Sequence, residues 1–409
     1  RDRSPSRGLG DVYKRQGKTT TINLMIRCFE MEKMDIVLAA PTGRAAKRMT
    51  EATGYEAKTI HRLLEVSGGI EDGDSSHFEK NEDNPIEADA VILDEMSMVD
   101  IHLMYSLLKA IVPGTRLILV GDSNQLPSVG PGNVLKDIID SKAFSVVRLS
   151  KIYRQAESSH IVLNAHKINA GELITLDNKN KDFFFFEKKD VRSVMGALVY
   201  LVKTRLPEYI GASPFEIQVL TPMRKGELGV EHLNEVLQYY LNPASESKKE
   251  KEGRTGVFRE GDKVMQVKNN YKLEWKITNA KGFSIEEGLG VFNGDMGIIK
   301  QINTYSERIT VVFDENREAE YPFSSLDELE LAYAITIHKS QGSEYPAVVL
   351  PLLSGPPILC NRNLLYTAIT RAQKCVAIAG RQSMVEQMIH NETEQKRYSG
   401  LNDCLKEGL

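Results

Sequence analysis

The 409-residue sequence predicts an α/β protein with two parallel sheets, the second of them interrupted by a small β domain. Three observations lead to this prediction. Apolar strands alternate with helical segments from Gly17 to about Tyr153, and the same alternation resumes from Ser158 to Tyr240. Between these parts and the C-terminus, Val257 to about Leu326 is divided into short β segments by Gly and Asn turns. Strands that are apolar along their whole length belong to parallel sheets covered on both faces.

The first half of the chain alternates between helices and strands. Apolar residues at helical spacing predict a helix from Lys18 to Met31, and Met104, Leu107, Leu108 and Ile111 mark another. Buried strands are predicted at Asp35 to Ala40, Ala90 to Leu93 and Arg116 to Val120. Between Glu65 and Asp89 the alternation gives way to an acidic, Gly-containing stretch, which is either a flexible loop or a small inserted hairpin.

The second half contains a different kind of segment. Buried strands are predicted at Phe183 to Phe186, Ile217 to Leu220, Ala347 to Leu352 and Cys375 to Ala379. The Lys- and Glu-rich stretch from Ala244 to Gly256 is interpreted as a solvated link. Short β segments follow it at Lys263 to Val267, Gly297 to Ile302 and Arg308 to Phe313. They predict a small β barrel that interrupts the second α/β domain.

The composition is that of a globular protein without a general affinity for polyanions. Apolar residues make up 41% of the chain and charged residues 26%, and the net charge is −4, so any contact with nucleic acid must use a local groove. The four cysteines, at positions 28, 360, 375 and 404, form no Cys-x-x-Cys pair, which favours reduced thiols in the cytoplasm over a zinc site or disulfides. No apolar run reaches the ~18 residues of a membrane span.

The first sixteen residues, RDRSPSRGLGDVYKRQ, have no helical or strand period. The string resembles translated sequencing-adapter sequence, and the alternative is a natural disordered tail. We expect residues 1–16 to be a non-native leader on an N-terminally truncated chain. A missing N-terminal region would then be the place for protein partners to dock.

The string from Gly17 to Thr20 matches half of a phosphate-binding loop. Such a loop wraps backbone N–H groups around phosphates, adds a Lys for the β and γ phosphates, and places a hydroxyl on Mg²⁺. Lys18 and Thr19 supply the last two groups. The full pattern wants a Gly where Val12 stands, so this string alone is a weak signal.

Two further strands end in polar residues. The strand that ends at Leu93 is followed by Asp94 and Glu95, which suit one carboxylate on Mg²⁺ and another beside an attacking water. The strand that ends at Val120 is followed by a loop that holds Asp122 and Gln125. Since the carboxyl ends of parallel strands line the ligand crevice, these residues and Thr42 are expected to converge on one nucleotide site.

The order of these and later tracts resembles the motif series of superfamily 1 helicases. The tracts are GKTTT, APTGRAAKRM, ILDEMSMVD, LVGDSNQLPSVGPG, YRQ, AITIHKSQGSE and YTAITRA. Within that superfamily the chain most resembles the RecD-like branch, which includes the alpha subunit of exodeoxyribonuclease V. The resemblance covers roughly Gly17 to Arg381.

The resemblance implies two RecA-like domains with two inserts. The first domain would span residues 17–155, with a duplex-splitting hairpin insert at 65–89. The second would comprise 156–256 and 329–409, on either side of an SH3-like β barrel at 257–328.

The resemblance also implies a role for each matching residue in ATP hydrolysis. Glu95 would be the catalytic base, Gln125 would sense the γ phosphate or its water, and Arg154 and Arg371 would act as arginine fingers. Thr19 and Asp94 would hold Mg²⁺. The set that binds the nucleotide would be Gly17, Lys18, Thr19, Thr20, Asp94, Gln125 and Gly342.

The tracts implied to contact DNA combine hydroxyls, backbone amides and basic groups. These groups can follow the phosphates of a single strand without reading bases. The residues are Pro41, Thr42, Gly43, Arg44, His61, Thr221, Arg224, Thr336, His338 and Lys339. Packing or capping is the alternative for the two histidines. Lys263, Lys268 and Lys272 would either extend this channel or lie on a solvated barrel face.

The sequence therefore predicts an ATP-dependent helicase or translocase that moves on single-stranded DNA and splits duplex junctions, in recombination or repair. The branch implies 5′ to 3′ movement. One alternative is a helicase module of a larger relaxase or nuclease complex. Another is a DNA-binding fragment that does not hydrolyse ATP, because the phosphate loop is incomplete.

Overall fold

The computed structural model describes residues 17–65, 78–149, 159–254, 256–279, 283–393, 397 and 399–408. The chain divides into two compact units. The first extends to Asn169 and also takes in Gln341–Ser343 and the segment from Thr393 onward; the second comprises Ala170–Ser340 and Glu344–Glu392. No helix in these described ranges is both long and apolar enough to cross a membrane.

The first unit contains a four-stranded parallel sheet in the order β2-β1-β3-β4. Its strands are β1 (Ile36–Ala40), β2 (Ala57–Thr59), β3 (Ala90–Leu93) and β4 (Arg116–Leu119). Its helices are α1 (Lys18–Met31), α2 (Gly43–Thr53), α3 (Ile60–Leu63), α4 (Ile101–Ala110), α5 (Val134–Ser141), α6 (His160–Ala170) and a C-terminal helix at Leu401–Glu407. The three strands predicted here are confirmed.

Local side-chain chemistry explains where several of these helices begin. The hydroxyl oxygens of Thr42 and Thr59 and a carboxylate oxygen of Asp100 accept hydrogen bonds from backbone N–H groups in the first turns of α2, α3 and α4. Such a cap stabilises a helix by about 1 kcal/mol. The predicted extension of the α4 pattern to Ile111 is wrong, because that residue leaves the helix and forms a parallel bridge with Ile86.

The central part of the predicted hairpin insert, residues 66–77, lies outside the described residues. At its base the backbone N–H groups of Glu79 and Lys80 donate to the carbonyls of Glu65 and Leu64. The predicted change of domain between residues 155 and 156 also lies outside the described residues. The domain limits therefore stay predictions.

The second unit contains a five-stranded parallel sheet, an antiparallel insert and a small hairpin. Its strands are β5 (Phe183–Glu187), β6 (Ile217–Thr221), β7 (Glu250–Gly253), β8 (Gly256–Arg259), β9 (Lys263–Gln266), β10 (Asn270–Thr278), β11 (Ser284–Val291), β12 (Met296–Asn303), β13 (Arg308–Phe313), β14 (Arg317–Pro322), β15 (Leu329–Leu331), β16 (Ala334–Thr336), β17 (Tyr345–Leu352) and β18 (Ala372–Gly380). Its helices are α7 (Val191–Tyr200), α8 (Leu206–Ile210), α9 (Val230–Leu241), α10 (Arg362–Thr370) and α11 (Gln382–His390), and a π-helical turn at Leu201–Arg205 joins the first two.

The parallel sheet has the order β16-β6-β17-β18-β5, and the seven-stranded insert has the order β11-β10-β14-β13-β12-β9-β15. One apolar core runs through both, from Val219 in the parallel sheet to Tyr321 in the insert. Phe183 and Phe185 are buried in β5, which confirms the buried strand predicted there.

Two expectations for the region around the insert are wrong. The stretch predicted as a solvated link contains β7, which pairs antiparallel with β8 from Glu250–Arg259 to Gly253–Gly256. In β7 the exposed Glu250 and Glu252 alternate with the half-buried Lys251 and Gly253, and no apolar residue marks the strand in the sequence. Lys263 is only 5% exposed, and its Nζ donates to Gln218 Oε1 at 2.9 Å, so it lies neither in a DNA channel nor on a solvated face.

Candidate nucleotide and DNA sites

The phosphate-loop residues lie at the start of α1. Gly17 is the N-cap residue with φ 78°, a left-handed conformation that glycine adopts without strain. Lys18 and Thr19 are buried in the first turn, whereas Thr20 is exposed. The N-terminus of a helix attracts anions, because its backbone N–H groups and the helix dipole both point there.

Asp94 and Glu95 directly follow β3 and are almost fully buried, with exposed fractions of 3% and 1%. The backbone N–H of Glu95 donates to Asp94 Oδ1 at 2.7 Å. Burial and the neighbouring Glu95 carboxylate raise the pKa of Asp94 well above its ordinary value, and the backbone hydrogen bond only partly opposes them. Two adjacent buried carboxylates are a local excess of negative charge that suits a bound cation.

Gln125 lies in the turn that follows β4. Its Nε2 lies 3.4 Å from Asp122 Oδ2, and only 5% of the residue is exposed. Since β1, β3 and β4 are neighbouring parallel strands, their carboxyl ends bring Thr42, Asp94 and Gln125 to one edge of the sheet, as predicted.

Thr19 Oγ1 and Gln125 Oε1 are among the buried oxygens that have no hydrogen-bond partner within the described part of the chain. A buried polar atom without a partner is costly and indicates a missing ligand or water. The hydroxyl of Thr19 and the carboxylate of Asp94 are hard oxygen donors of the kind Mg²⁺ prefers. These residues therefore fit ATP and Mg²⁺. No group of three or more His, Cys, Asp or Glu side chains is arranged for a metal among the described residues.

Glu95 has a partner that the sequence reasoning missed. Arg48, in α2, places Nη2 at 3.2 Å from Glu95 Oε1. Glu95 itself has φ 54°, a left-handed conformation that is unfavourable for a residue with a side chain. Arg48 belongs to the tract APTGRAAKRM, so motif membership was the signal that could have drawn attention to it.

Gly342 lies against the start of α2. Its φ is 74°, and a Cβ built there would lie 2.8 Å from Thr42 Oγ1. Next to it, Gln341 Nε2 donates to the Leu126 carbonyl at 2.7 Å. The structure thus brings Gly342, which is predicted to bind the nucleotide, beside Thr42, which is predicted to contact DNA.

The predicted DNA residues of the first unit surround the start of α2 and α3. Pro41 and Gly43 are half-buried there, and Arg44 Nη1 donates to Ser343 Oγ at 3.0 Å. His61 packs against Phe78, with ring centroids 6.0 Å apart. Burial lowers the pKa of His61, and the charge of Asp100 only partly opposes this shift. A neutral imidazole can donate a hydrogen bond to DNA but adds no charge to the contact.

The predicted DNA residues of the second unit flank the ends of β6 and β16. Thr221 is fully buried, and its hydroxyl donates to the Leu228 carbonyl at 2.7 Å, so its side chain supports the turn from within. Thr336 Oγ1 accepts a hydrogen bond from the Lys339 N–H at 3.2 Å, and His338 is half-buried in the same turn.

Glu330, in β15, forms ion pairs with both basic residues of this set. Its carboxylate lies 2.5 Å from Arg224 Nη2 and 3.2 Å from Lys339 Nζ. Burial raises the pKa of Glu330, but the hydrogen bonds and charges of Arg224 and Lys339 outweigh burial and leave the pKa below its ordinary value. The carboxylate is therefore ionised and neutralises part of the positive charge of Arg224 and Lys339.

One of the two predicted arginine fingers, Arg371, lies within the described residues. Arg371 follows α10, is 3% exposed, and its Nε donates to the Thr367 carbonyl at 3.3 Å. Arg154 lies outside the described residues.

Three family sequence models match parts of the chain in order. The AAA domain model matches residues 16–131, and the model of the SH3 domain of ATP-dependent RecD-like DNA helicases matches residues 233–313. The model of the UvrD-like helicase C-terminal domain matches residues 331–379. The second match agrees with an SH3-like domain inserted in the second parallel-sheet domain.

Curated relatives extend over nearly the whole chain. The ATP-dependent RecD2 DNA helicase of Deinococcus radiodurans is 35% identical over 364 residues, which cover 89% of this chain and 45% of that protein. The RecBCD enzyme subunit RecD of Mycolicibacterium smegmatis is 30% identical over 423 residues, which cover 95% of this chain and 71% of that protein. The chain belongs to the RecD-like branch of superfamily 1 helicases. It spans less than half the length of the Deinococcus relative.

Solved structures place this RecD-like chain in the same fold as Pif1 helicases. A structure of two coordinating Pif1 helicases at forked duplex DNA aligns with a TM-score of 0.51 and 21% identity over 90% of this chain and 87% of that chain. Pif1 from Bacteroides with ADP-AlF3 and single-stranded DNA aligns with a TM-score of 0.50 and 20% identity over 91% of this chain and 88% of that chain. At this level of identity the likeness concerns the fold, and it confirms the prediction of RecA-like domains.

Proposed function

We propose that this chain is the motor of an ATP-dependent DNA helicase that moves along single-stranded DNA in recombination or repair. The observation that carries the proposal is the buried Asp94–Glu95 pair at the sheet edge that also holds Gln125. The unpartnered oxygens of Thr19 and Gln125, within the described residues, support a ligand there. Relatives named as RecD2 DNA helicase and RecD support the same assignment.

The residues divide the chemistry of hydrolysis among them. Lys18 and the first turn of α1 bind the β and γ phosphates, and Thr19 and Asp94 would hold Mg²⁺, which when bound neutralises phosphate charge. Glu95 accepts the proton of the attacking water, and Gln125 orients that water. Arg371, with its permanent charge, stabilises the charge that develops on the phosphate.

The residues predicted to contact DNA bind the single strand along which the motor moves. Arg44, His61, Arg224, His338 and Lys339 contact the backbone of a single strand, so that the protein does not depend on base sequence. Movement requires that each nucleotide state favours a different arrangement of the protein on the strand. We propose 5′ to 3′ movement, which is the direction that the RecD-like branch implies.

A second candidate is a helicase module within a larger nuclease or relaxase complex. The Mycolicibacterium relative, named as a subunit of the RecBCD enzyme, favours it. Protein partners belong to this proposal.

Hydrolysis of ATP that rises when single-stranded DNA is added tests the proposed function. We expect stimulation in the chain itself or, if its phosphate loop limits turnover, in the variant Val12→Gly, which restores the missing glycine of the pattern. Phosphate release with and without an oligonucleotide measures it. Folded protein that binds DNA but does not hydrolyse ATP in either form would leave a DNA-binding module in place of a motor.

Neutralising Glu330 is expected to strengthen DNA binding. In Glu330→Gln, Arg224 and Lys339 lose a carboxylate that competes with phosphate, so affinity for a single-stranded oligonucleotide should rise roughly threefold to tenfold. The dependence of affinity on salt should steepen by about one unit in the log–log slope, because one more counterion is released. Fluorescence anisotropy across a salt series measures both quantities.

Two variants serve as comparisons for Glu330→Gln. Among the described residues Glu231 forms one ion pair, between its Oε1 and Arg224 Nε at 3.4 Å, so Glu231→Gln should show a smaller gain in affinity. Glu208 is exposed, and Glu208→Gln should show no gain. If Glu330→Gln and wild type have the same affinity for the oligonucleotide and the same salt dependence, Arg224 and Lys339 do not contact DNA.

A further inference from the structure

Helix α2 carries two arginines one turn apart, and each makes a contact at a different site. Arg44, in the first turn, is a predicted DNA residue and donates to Ser343 Oγ at 3.0 Å. Arg48, four residues later, forms the ion pair of 3.2 Å with Glu95 Oε1. Residues at this spacing lie on one face of a helix. The same rigid element therefore connects the DNA set to the proposed catalytic base.

The helix is held firmly between these contacts. Thr42 caps its N-terminus, Gly54 ends it with φ 78°, and Ala45, Ala46 and Met49 are buried along it. Small buried residues allow close packing, so the helix moves as a unit when its first turn is displaced. A displacement at Arg44 is then passed on to Arg48.

Glu95 depends on such a partner for its orientation. Its side chain is 2% exposed and its backbone is in a left-handed conformation, whereas the Arg48 side chain is 22% exposed. A buried carboxylate is strongly destabilising without a cation, and the planar fork of arginine defines a direction as well as a charge. Arg48 therefore helps to set where the Glu95 carboxylate points.

We propose that Arg48 is a positioning residue for hydrolysis, which orients Glu95 and links it through α2 to the turn that contacts DNA. The inference rests on the proposed function, in which Glu95 is the base and Arg44 contacts the strand. A displacement of about 1 Å of a catalytic group changes a rate by up to about a hundredfold, so a small movement of α2 is sufficient.

Steady-state kinetics of Arg48→Met test the link. We expect the stimulation of ATP hydrolysis by single-stranded DNA to fall at least tenfold, with the KM for ATP and the affinity for the oligonucleotide within twofold of wild type. Arg48→Lys should recover part of the stimulation, because it keeps the charge but not the fork. Arg27→Met makes the same substitution at an exposed position of α1 and should behave as wild type.

Thermal unfolding supplies a measurement that does not depend on activity. Arg48→Met should lower the Tm, because it leaves the Glu95 charge without this partner. Adding Glu95→Gln to Arg48→Met should raise the Tm again, since the pair is removed together. If the fall in Tm of the double variant equals the sum of the falls in Arg48→Met and Glu95→Gln, the ion pair does not orient Glu95.

The outcomes separate this inference from the proposed function. If neither wild type nor Val12→Gly shows DNA-stimulated hydrolysis, the proposed function fails first. If wild type is stimulated and Arg48→Met is stimulated by the same factor, the link through α2 is wrong. An equal loss of rate with and without DNA would likewise overturn the link.

Discussion

Glu95→Gln is expected to lower the rate of ATP hydrolysis by about a hundredfold to ten-thousandfold while ATP still binds. The amide has nearly the shape of the carboxylate but cannot accept the proton of the attacking water. The residues proposed to hold the nucleotide, Lys18, Thr19 and Asp94, are unchanged in this variant. Phosphate release measures turnover, and binding of a fluorescent ATP analogue measures affinity.

A matched control is Glu51→Gln, which makes the same substitution at an exposed position of α2. It should hydrolyse ATP at the wild-type rate. The Tm of Glu95→Gln must also be recorded, because the substitution removes the charge that pairs with Arg48. Turnover near the wild-type rate in folded Glu95→Gln would remove Glu95 from the role of base.

Replacing Arg371 is expected to reduce turnover far more than DNA binding. An arginine that stabilises the transferred phosphate contributes on the order of a thousandfold to the rate, and neither alanine nor lysine reproduces its fork. Both Arg371→Ala and Arg371→Lys should therefore lose most of their hydrolysis, with affinity for single-stranded DNA within about twofold of wild type. The lysine variant is needed because Arg371 is 3% exposed and alanine would leave a cavity.

Arg192→Ala, at an exposed position of α7, is the control for Arg371. Its rate should equal that of wild type. An unchanged rate in Arg371→Lys, together with an unchanged Tm, would reduce Arg371 to a packing residue that donates to Thr367.

Much of the fold could be predicted because its signals are local. Strands such as Ala90–Leu93 are apolar along their whole length, and the helix from Lys18 has its apolar residues at helical spacing. The strand β7 escaped prediction for the opposite reason. It is short and charged, and only its pairing with β8 makes it a strand.

The sequence could place a proposed site residue in the sheet where that residue lies near the end of a strand. Asp94 follows β3 directly and Gln125 lies in the turn after β4, so the parallel topology alone brings them to one edge of the sheet. The sequence could not tell which of the basic residues have partners. Lys263 resembles any other lysine of the insert, yet it is buried against Gln218.

The sequence by itself determined the class of fold, the order of the motifs and the residue types at the proposed nucleotide site, because periodicity and motif spacing are properties of neighbouring residues. Only the tertiary structure decided the pairing of charges. Arg48 and Glu95 are 47 residues apart, and Glu330 and Arg224 are 106 residues apart. Which of many possible ion pairs forms depends on how the elements pack, and that packing decides which partner Glu95 has and how much of the charge of Arg224 is neutralised.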